Sequence, residues 1–457
     1  MAKNICFHNA KQLDLICRFI KSGMKAPGSP SNRSKTPDAS KSKNPVVRFL
    51  RKLGPGVITG AADDDPSGIA TYSIAGAQHG TALLWTALIT WPLMGCVQMM
   101  CARIGMVTGR GLAGTLRQKF PKQLIILGTF ALFAANTINV GADLAGMADA
   151  SEMLTGINSR WLVPIFGIGI AYASIRCRYE QIARILKWLA LALFAYVVTG
   201  LIIRPNWLEV LSATFIPTLP KGSEMWATLV AILGTTISPY LFFWQSSQEV
   251  EEEKNRGRRR VIQRRGATPQ EIIDRKVDVG TGTFFSNFVM YFIILTTALT
   301  LHKSGQHNIE TSRQAAEALR PFAGNFAVAL FTLGVIGTGF LAIPTLAGAA
   351  AYAFADTFGW RQGLDEKFRR ARAFYGIFIA SMGIGIALDF LNISPIKALY
   401  WTAIINGLLA PFLLLGILII ACDRSIMQKQ PSSMISRIVV GLTTALMFGA
   451  AIAMFVF

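Results

Sequence analysis

The chain has 457 residues, 52% of them hydrophobic and 15% charged, a combination that a soluble domain of this size rarely shows, so its solvent is expected to be lipid. Its 45 lysines and arginines against 25 acidic residues give a net charge of +20, which on its own would suit nucleic acid. The charge is spread through the loops between apolar runs rather than gathered on one domain, and that excludes a nucleic-acid partner.

In chain order, residues 1–50 read as a basic, mostly disordered cytoplasmic arm. Within it Leu13, Ile16, Ile20 and Met24 recur at helical spacing opposite Lys11, Arg18, Lys21 and Lys25. That pattern fits a short interfacial helix, and 26–45 fits a Ser/Pro/Lys-rich linker. Residues 1–47 lack the apolar core of a signal peptide, so the arm is expected to stay attached.

From Arg51 onward come eleven apolar runs, each long enough to cross about 30 Å of hydrocarbon. They lie at 54–78, 82–102, 124–147, 161–177, 184–203, 224–246, 278–301, 325–352, 373–390, 398–421 and 435–457. With the N-terminus inside, 38 of the 45 lysines and arginines fall on cytoplasmic segments, which predicts N-terminus in and C-terminus out. The 256–265 stretch, with six arginines, also suits contact with anionic headgroups. Cysteines 6, 17, 96, 101, 177 and 422 show neither metal-ligand nor disulfide spacing.

The first run carries Asp63, Asp64 and Asp65 followed by Pro66 and Gly68. An ionised aspartate in lipid costs at least about 2.5–3.5 kcal/mol, so it must face a bundle interior, a partner or water. Pro66 removes an N–H and predicts unwinding, which frees carbonyls to join the carboxylates as oxygen ligands. The alternative for two of the three aspartates, weighed most for Asp63 and least for Asp65, is a place in a water-filled vestibule or as caps of the second half-helix. Five spans later, Gly234-Thr235-Thr236-Ile237-Ser238-Pro239-Tyr240 interrupts the sixth run. Five is odd, so the two halves run in opposite directions, and paired breaks in inverted halves point to a transporter's binding site. The domains expected are the arm 1–50, a first repeat 51–222 (spans one to five), a second repeat 223–422 (spans six to ten) and a last helix in 423–457.

These residues resemble a known family, the natural resistance-associated macrophage protein (Nramp) metal transporters. The resemblance rests on Gly54-Pro55-Gly56 with Asp65-Pro66 in register, Thr108-Gly109-Arg110-Gly111-Leu112, Asp143-Leu144-Ala145, Asn287, Thr345-Leu346-Ala347-Gly348 and Pro411-Phe412. It implies an all-α polytopic membrane protein of about eleven transmembrane helices, with a leucine-transporter-like 5+5 inverted repeat and interrupted helices one and six. It further implies Asp65 as metal ligand and Thr235 as a backbone-carbonyl ligand, with Asp64, Gly68 and Ser238 completing the expected metal site. Asp143 and Asn406 are possible accessories, each with a plain structural alternative. The ion is substrate; no cofactor is implied.

The chain departs from the family pattern at Gly68, where the family has Asn, and at Ser238-Pro239-Tyr240, where it has Met-Pro-His. Gln245 replaces a second His, and Gly146 replaces a Glu. Without a thioether the donors are all oxygen, which suits Mg²⁺ or Mn²⁺, and smaller side chains leave room for the waters that Mg²⁺ keeps. The pattern is similar to the family's magnesium-transporting branch. Uncoupled, potential-driven uptake of Mg²⁺ and/or Mn²⁺ is therefore expected, by a monomer in the plasma (inner) membrane. The alternative is a proton-coupled Mn²⁺/Fe²⁺ importer using Asp143. His8, His79, His302 and His307 lie in the arm or outer loops, away from any relay. Glu249 and Glu251 to Glu253 read as a solvated face. An intramembrane enzyme would need a His-Glu-x-x-His pair or a nucleophile with its base, and none is present.

Overall fold

The computed structural model describes residues 54–176, 191–220, 222–391 and 393–457. The arm with its interfacial helix, Cys6, His8, Cys17 and Cys177, and the start of the fifth span up to residue 190 lie outside the described residues. The described secondary structure is helical throughout, without strands. Each of the eleven expected spans coincides with helix, the fifth from Leu191 onward.

The first span is split into α1 (Pro55–Asp63) and α2 (Pro66–His79), followed by α3 (Trp85–Thr108), the short α4 (Leu112–Leu116), α5 (Lys122–Thr155) and α6 (Ser159–Arg176). Next come α7 (Phe194–Ile202) and α8 (Trp207–Phe215), the latter in a stretch expected to be loop. Asn206 caps α8, its side chain accepting from the Leu208 N–H. The sixth span is split into α9 (Ser223–Thr236) and α10 (Pro239–Asn255). After these run α11 (Pro269–Thr300), α12 (Ser312–Glu317), α13 (Arg320–Ala323), α14 (Ala327–Phe358), α15 (Arg372–Leu388), α16 (Pro395–Cys422) and α17 (Met434–Val456). Among the described residues, eight helical segments are long and apolar enough to cross a bilayer, the interrupted sixth span Ser223–Asn255 among them.

Local sequence accounts for the helix ends. Thr268 and Glu271 form a capping box with Pro269 in the first turn of α11, and Gly109, Gly156 and Gly359 end α3, α5 and α14 in left-handed conformation. Small residues set the crossings. A Cβ on Gly60 of α1 would lie 2.5 Å from the Gly282 carbonyl of α11, and one on Gly56 2.7 Å from the Val279 nitrogen. The half-helix is therefore pressed against α11 as closely as backbone allows. Gly234 of α9 meets the Ala403 carbonyl and Gly407 of α16 in the same way.

The glutamates at the end of α10 correct the expectation of a solvated face: Glu249, Glu251 and Glu253 are buried. Glu249 pairs with Arg275 at 2.8 Å, Glu251 with Lys254 at 2.7 Å, and Glu253 with Arg256 at 3.0 Å and Arg258 at 2.6 Å. The arginines just downstream thus supply counter-charge that makes burial tolerable. Arg264 likewise turns inward and donates to the carbonyls of Gly109 and Arg259, so only part of the 256–265 stretch is free for headgroups.

Candidate functional site

Both breaks are two residues long and share one geometry. Asp64 (φ −78°, ψ 50°) and extended Asp65 (φ −70°, ψ 170°) precede Pro66. Ile237 (φ −113°, ψ 57°) and extended Ser238 (φ −74°, ψ 133°) precede Pro239. In each case proline opens the second half-helix, where its missing N–H costs nothing. The unwinding therefore falls at Asp64-Asp65, one or two residues before the expected Pro66–Gly68, and Gly68 is helical.

Asp65 is buried and caps α2, its Oδ1 accepting from the Gly68 N–H at 2.6 Å. Its Oδ2 accepts from Asn139 Nδ2 of α5 at 3.2 Å. Asp63 and Asp64 are buried too and neither caps the half-helix; both accept from the Ser286 hydroxyl of α11, at 2.7 and 3.1 Å. Gly68 is the point of close approach between the two broken helices. A Cβ there would stand 3.3 Å from Thr235 Oγ1, 3.3 Å from the Tyr72 ring and 3.4 Å from the Asp63 carbonyl.

Ser238 donates back to the carbonyls of Gly234 (2.8 Å) and Thr235 (2.6 Å), the ones that unwinding frees. Its hydroxyl thus stands in for lost helix bonds, while the Thr235 carbonyl retains a second lone pair. Tyr240 donates to the Ala62 carbonyl at 3.0 Å, so α10 completes the end of α1.

Asp143 of α5 is fully buried, and neither of its carboxylate oxygens has a hydrogen-bond partner among the described residues; Asn139 Oδ1, one turn away, and Asn406 Oδ1 of α16 share that state. No described hydrogen bond joins Asn406 to the three aspartates, whereas Asn139 touches Asp65 directly. Asn139 and Ser286 were missed from the sequence. Asn139 lies four residues before Asp143 in an apolar run, and that spacing was the available signal.

Among the described residues no group of three His, Cys, Asp or Glu side chains is placed to hold a metal together. The donors at the breaks are instead carboxylates, amide oxygens and main-chain carbonyls, a hard and mixed set. His79, His302 and His307 lie at the other end of α2. His79 contacts Thr228 Oγ1 at 3.1 Å, and His302 the Ala77 carbonyl at 2.8 Å.

Two interrupted helices facing each other through buried polar groups are the architecture of a membrane transporter of the leucine-transporter fold. The chain belongs to the natural resistance-associated macrophage protein-like family, whose model matches residues 56–457. It is 25% identical over 417 residues to the divalent metal cation transporter MntH of Aeromonas hydrophila, covering 89% of this chain and 95% of that one. A crystal structure of the Eremococcus coleocola manganese transporter superposes with a TM-score of 0.68 at 17% identity, covering 90% of this chain and 87% of that one. MhsT, solved in complex with L-phenylalanine, gives 0.53 at 16%, covering 87% and 98%. At these identities the solved structures speak for the fold alone.

Proposed function

We propose that this protein carries divalent metal cations across the membrane, with Asp65 as the indispensable ligand and Mg²⁺ and/or Mn²⁺ as the ion. The observation that carries the reading is the buried Asp65 carboxylate at the break of the first interrupted helix, beside Gly68 and the second break at Ser238. The names of the relatives, a divalent metal cation transporter and a manganese transporter, agree with it. Asp64, the Thr235 carbonyl and Ser238 complete the proposed site, with Gly68 letting the two broken helices approach closely and Asp143 and Asn406 as accessories. In this reading an ion such as Mg²⁺ keeps part of its water shell, as it usually does when bound by few carboxylates.

Transport in this reading is driven by membrane potential without proton coupling. Gly146, Tyr240 and Gln245 are not groups that titrate near neutral pH. The Tyr240 hydroxyl is spent on Ala62, and Gln245 Nε2 donates to Glu249 at 2.8 Å. The same proposal includes a monomer in the plasma (inner) membrane, N-terminus in and C-terminus out, with repeats at 51–222 and 223–422, a last helix in 423–457 and an arm at 1–50.

The test is metal uptake into proteoliposomes holding a pH-sensitive dye, under an inside-negative potential. Metal entry without matching internal acidification is the expected result. Stoichiometric, metal-dependent acidification contradicts the uncoupled reading and favours the second one, in which Asp143, with both oxygens unpartnered, carries the proton.

A further inference from the structure

A cavity of about 740 Å³ opens on the face that the charge asymmetry assigns to the cytoplasm, between the α3–α4 turn, the end of α10 with its following loop, and the segment after α14. Its size is that of a small-molecule site, for which roughly 300–1,000 Å³ is usual. Seven basic and four acidic side chains line it. Two of the acids are neutralised locally, Glu251 by Lys254 at 2.7 Å and Glu366 by Arg361 at 3.7 Å. The other two are held by amides: Asp356 accepts from Gln362 at 2.8 Å and Asp365 from Asn255 at 3.3 Å.

The remaining cations outnumber those two acids. Arg264 and Arg117 donate to main-chain carbonyls, and Arg264 also lies within the field of Glu251 and Asp356. Arg110, Arg259 and Arg370 are exposed, line the cavity and form no ion pair among the described residues. Membrane topology explains why a cytoplasmic face is basic. It does not explain why three guanidinium groups from three separate segments, none in an ion pair among the described residues and only Arg110 within the field of an acid of the cavity, Asp356, converge on one concavity.

We propose that this cavity binds a phosphate-bearing polyanion through Arg110, Arg259 and Arg370. Guanidinium forks match phosphate oxygens two at a time, and clustered phosphates meet three forks better than a single charge does. Trp360 lines the same cavity and is 38% exposed, offering an aromatic plane to a base. Gln362, also lining it, has a buried Oε1 without a partner among the described residues, an acceptor suited to an exocyclic amine. A nucleoside triphosphate free of metal fits this set; an anionic lipid headgroup shares the phosphate chemistry without the base.

The test is calorimetric titration of the full chain in zwitterionic nanodiscs, in chelator, with ATP and with tripolyphosphate. Both probes are expected to bind, and the double variant Arg259→Ala with Arg370→Ala to bind each about tenfold more weakly, a loss of ~1.4 kcal/mol. Trp360→Ala should weaken ATP and spare tripolyphosphate. Arg313→Ala, exposed on α12, should change neither. ATP binding that disappears as anionic phospholipid is added to the nanodisc, with lipid retained by the wild type and lost from the double variant, assigns the phosphate site to a headgroup. Two results overturn the proposal: the same affinity in the double variant, or neither probe binding while no anionic lipid is retained.

Discussion

Asp65 does three things at once: its Oδ1 caps α2, its Oδ2 accepts from Asn139, and it carries a charge, which is what an amide at the same place lacks once Asn139 turns its unpartnered Oδ1 toward the new NH2. Asp65→Asn keeps the cap acceptor and removes the charge, so it is expected to abolish metal uptake with a melting temperature near wild type. Asp65→Ala also removes the cap and should cost about 1 kcal/mol of stability on top. Uptake near the wild-type rate in the Asn variant would show that the ion does not rely on this carboxylate. At Gly68 the neighbours at 3.3–3.4 Å leave no slack, so Gly68→Asn with Ser238→Met must displace Thr235 or Tyr72. The folded double variant should lose Mg²⁺ transport and gain relative transport of the softer Cd²⁺; unchanged selectivity would place the filter elsewhere. The Asp-Pro step made the break at Asp65 legible from sequence, because an ionised group beside a helix breaker inside lipid needs a buried partner, here the Gly68 N–H and Asn139. Asn139 and Ser286 were not legible, since uncharged polar residues in apolar runs are common and only packing shows which ones reach the aspartates.

At the scale of elements, α1 is held at its start as well as at its break. Asp278 of α11 accepts from the N–H groups of Gly54, Gly56 and Val57 at 2.7, 2.8 and 3.1 Å, and Arg275 clasps Asp278 at 2.5 Å together with Glu249 and Glu252. The half-helix N-terminus is thereby fastened to α10 and α11 by charge-assisted bonds. Arg275→Ala leaves Glu249 and Asp278 buried without their cation and is expected to destabilise the fold by roughly 3–5 kcal/mol, read as a lower melting temperature in detergent. A melting temperature within a degree or so of wild type would contradict this. Gly60→Ala should also destabilise, by about 1–3 kcal/mol, because the added methyl meets the Gly282 backbone. Proline steps made both breaks legible, to within two residues. The buried acids at the end of α10 were not, because a charge run beside a basic loop looks the same in sequence whether it is solvated or clasped.

For the whole molecule, eleven apolar runs and an odd offset of five spans from one break to the other were enough to read an inverted helical bundle, since hydrocarbon thickness fixes span length and parity fixes direction. The extra helix α8 was not foreseen, because nine residues between polar turns give too short a period to distinguish it from loop. The account as a whole stands on divalent-cation transport through the Asp65 site. Its most direct test is Mn²⁺ and Mg²⁺ uptake by wild-type and Asp65→Asn protein, reconstituted side by side under an imposed inside-negative potential. The account predicts saturable, potential-dependent accumulation of at least one of the two ions by the wild type and background flux in the variant. Equal uptake by both proteins, or no uptake of either ion by folded wild type, would contradict it.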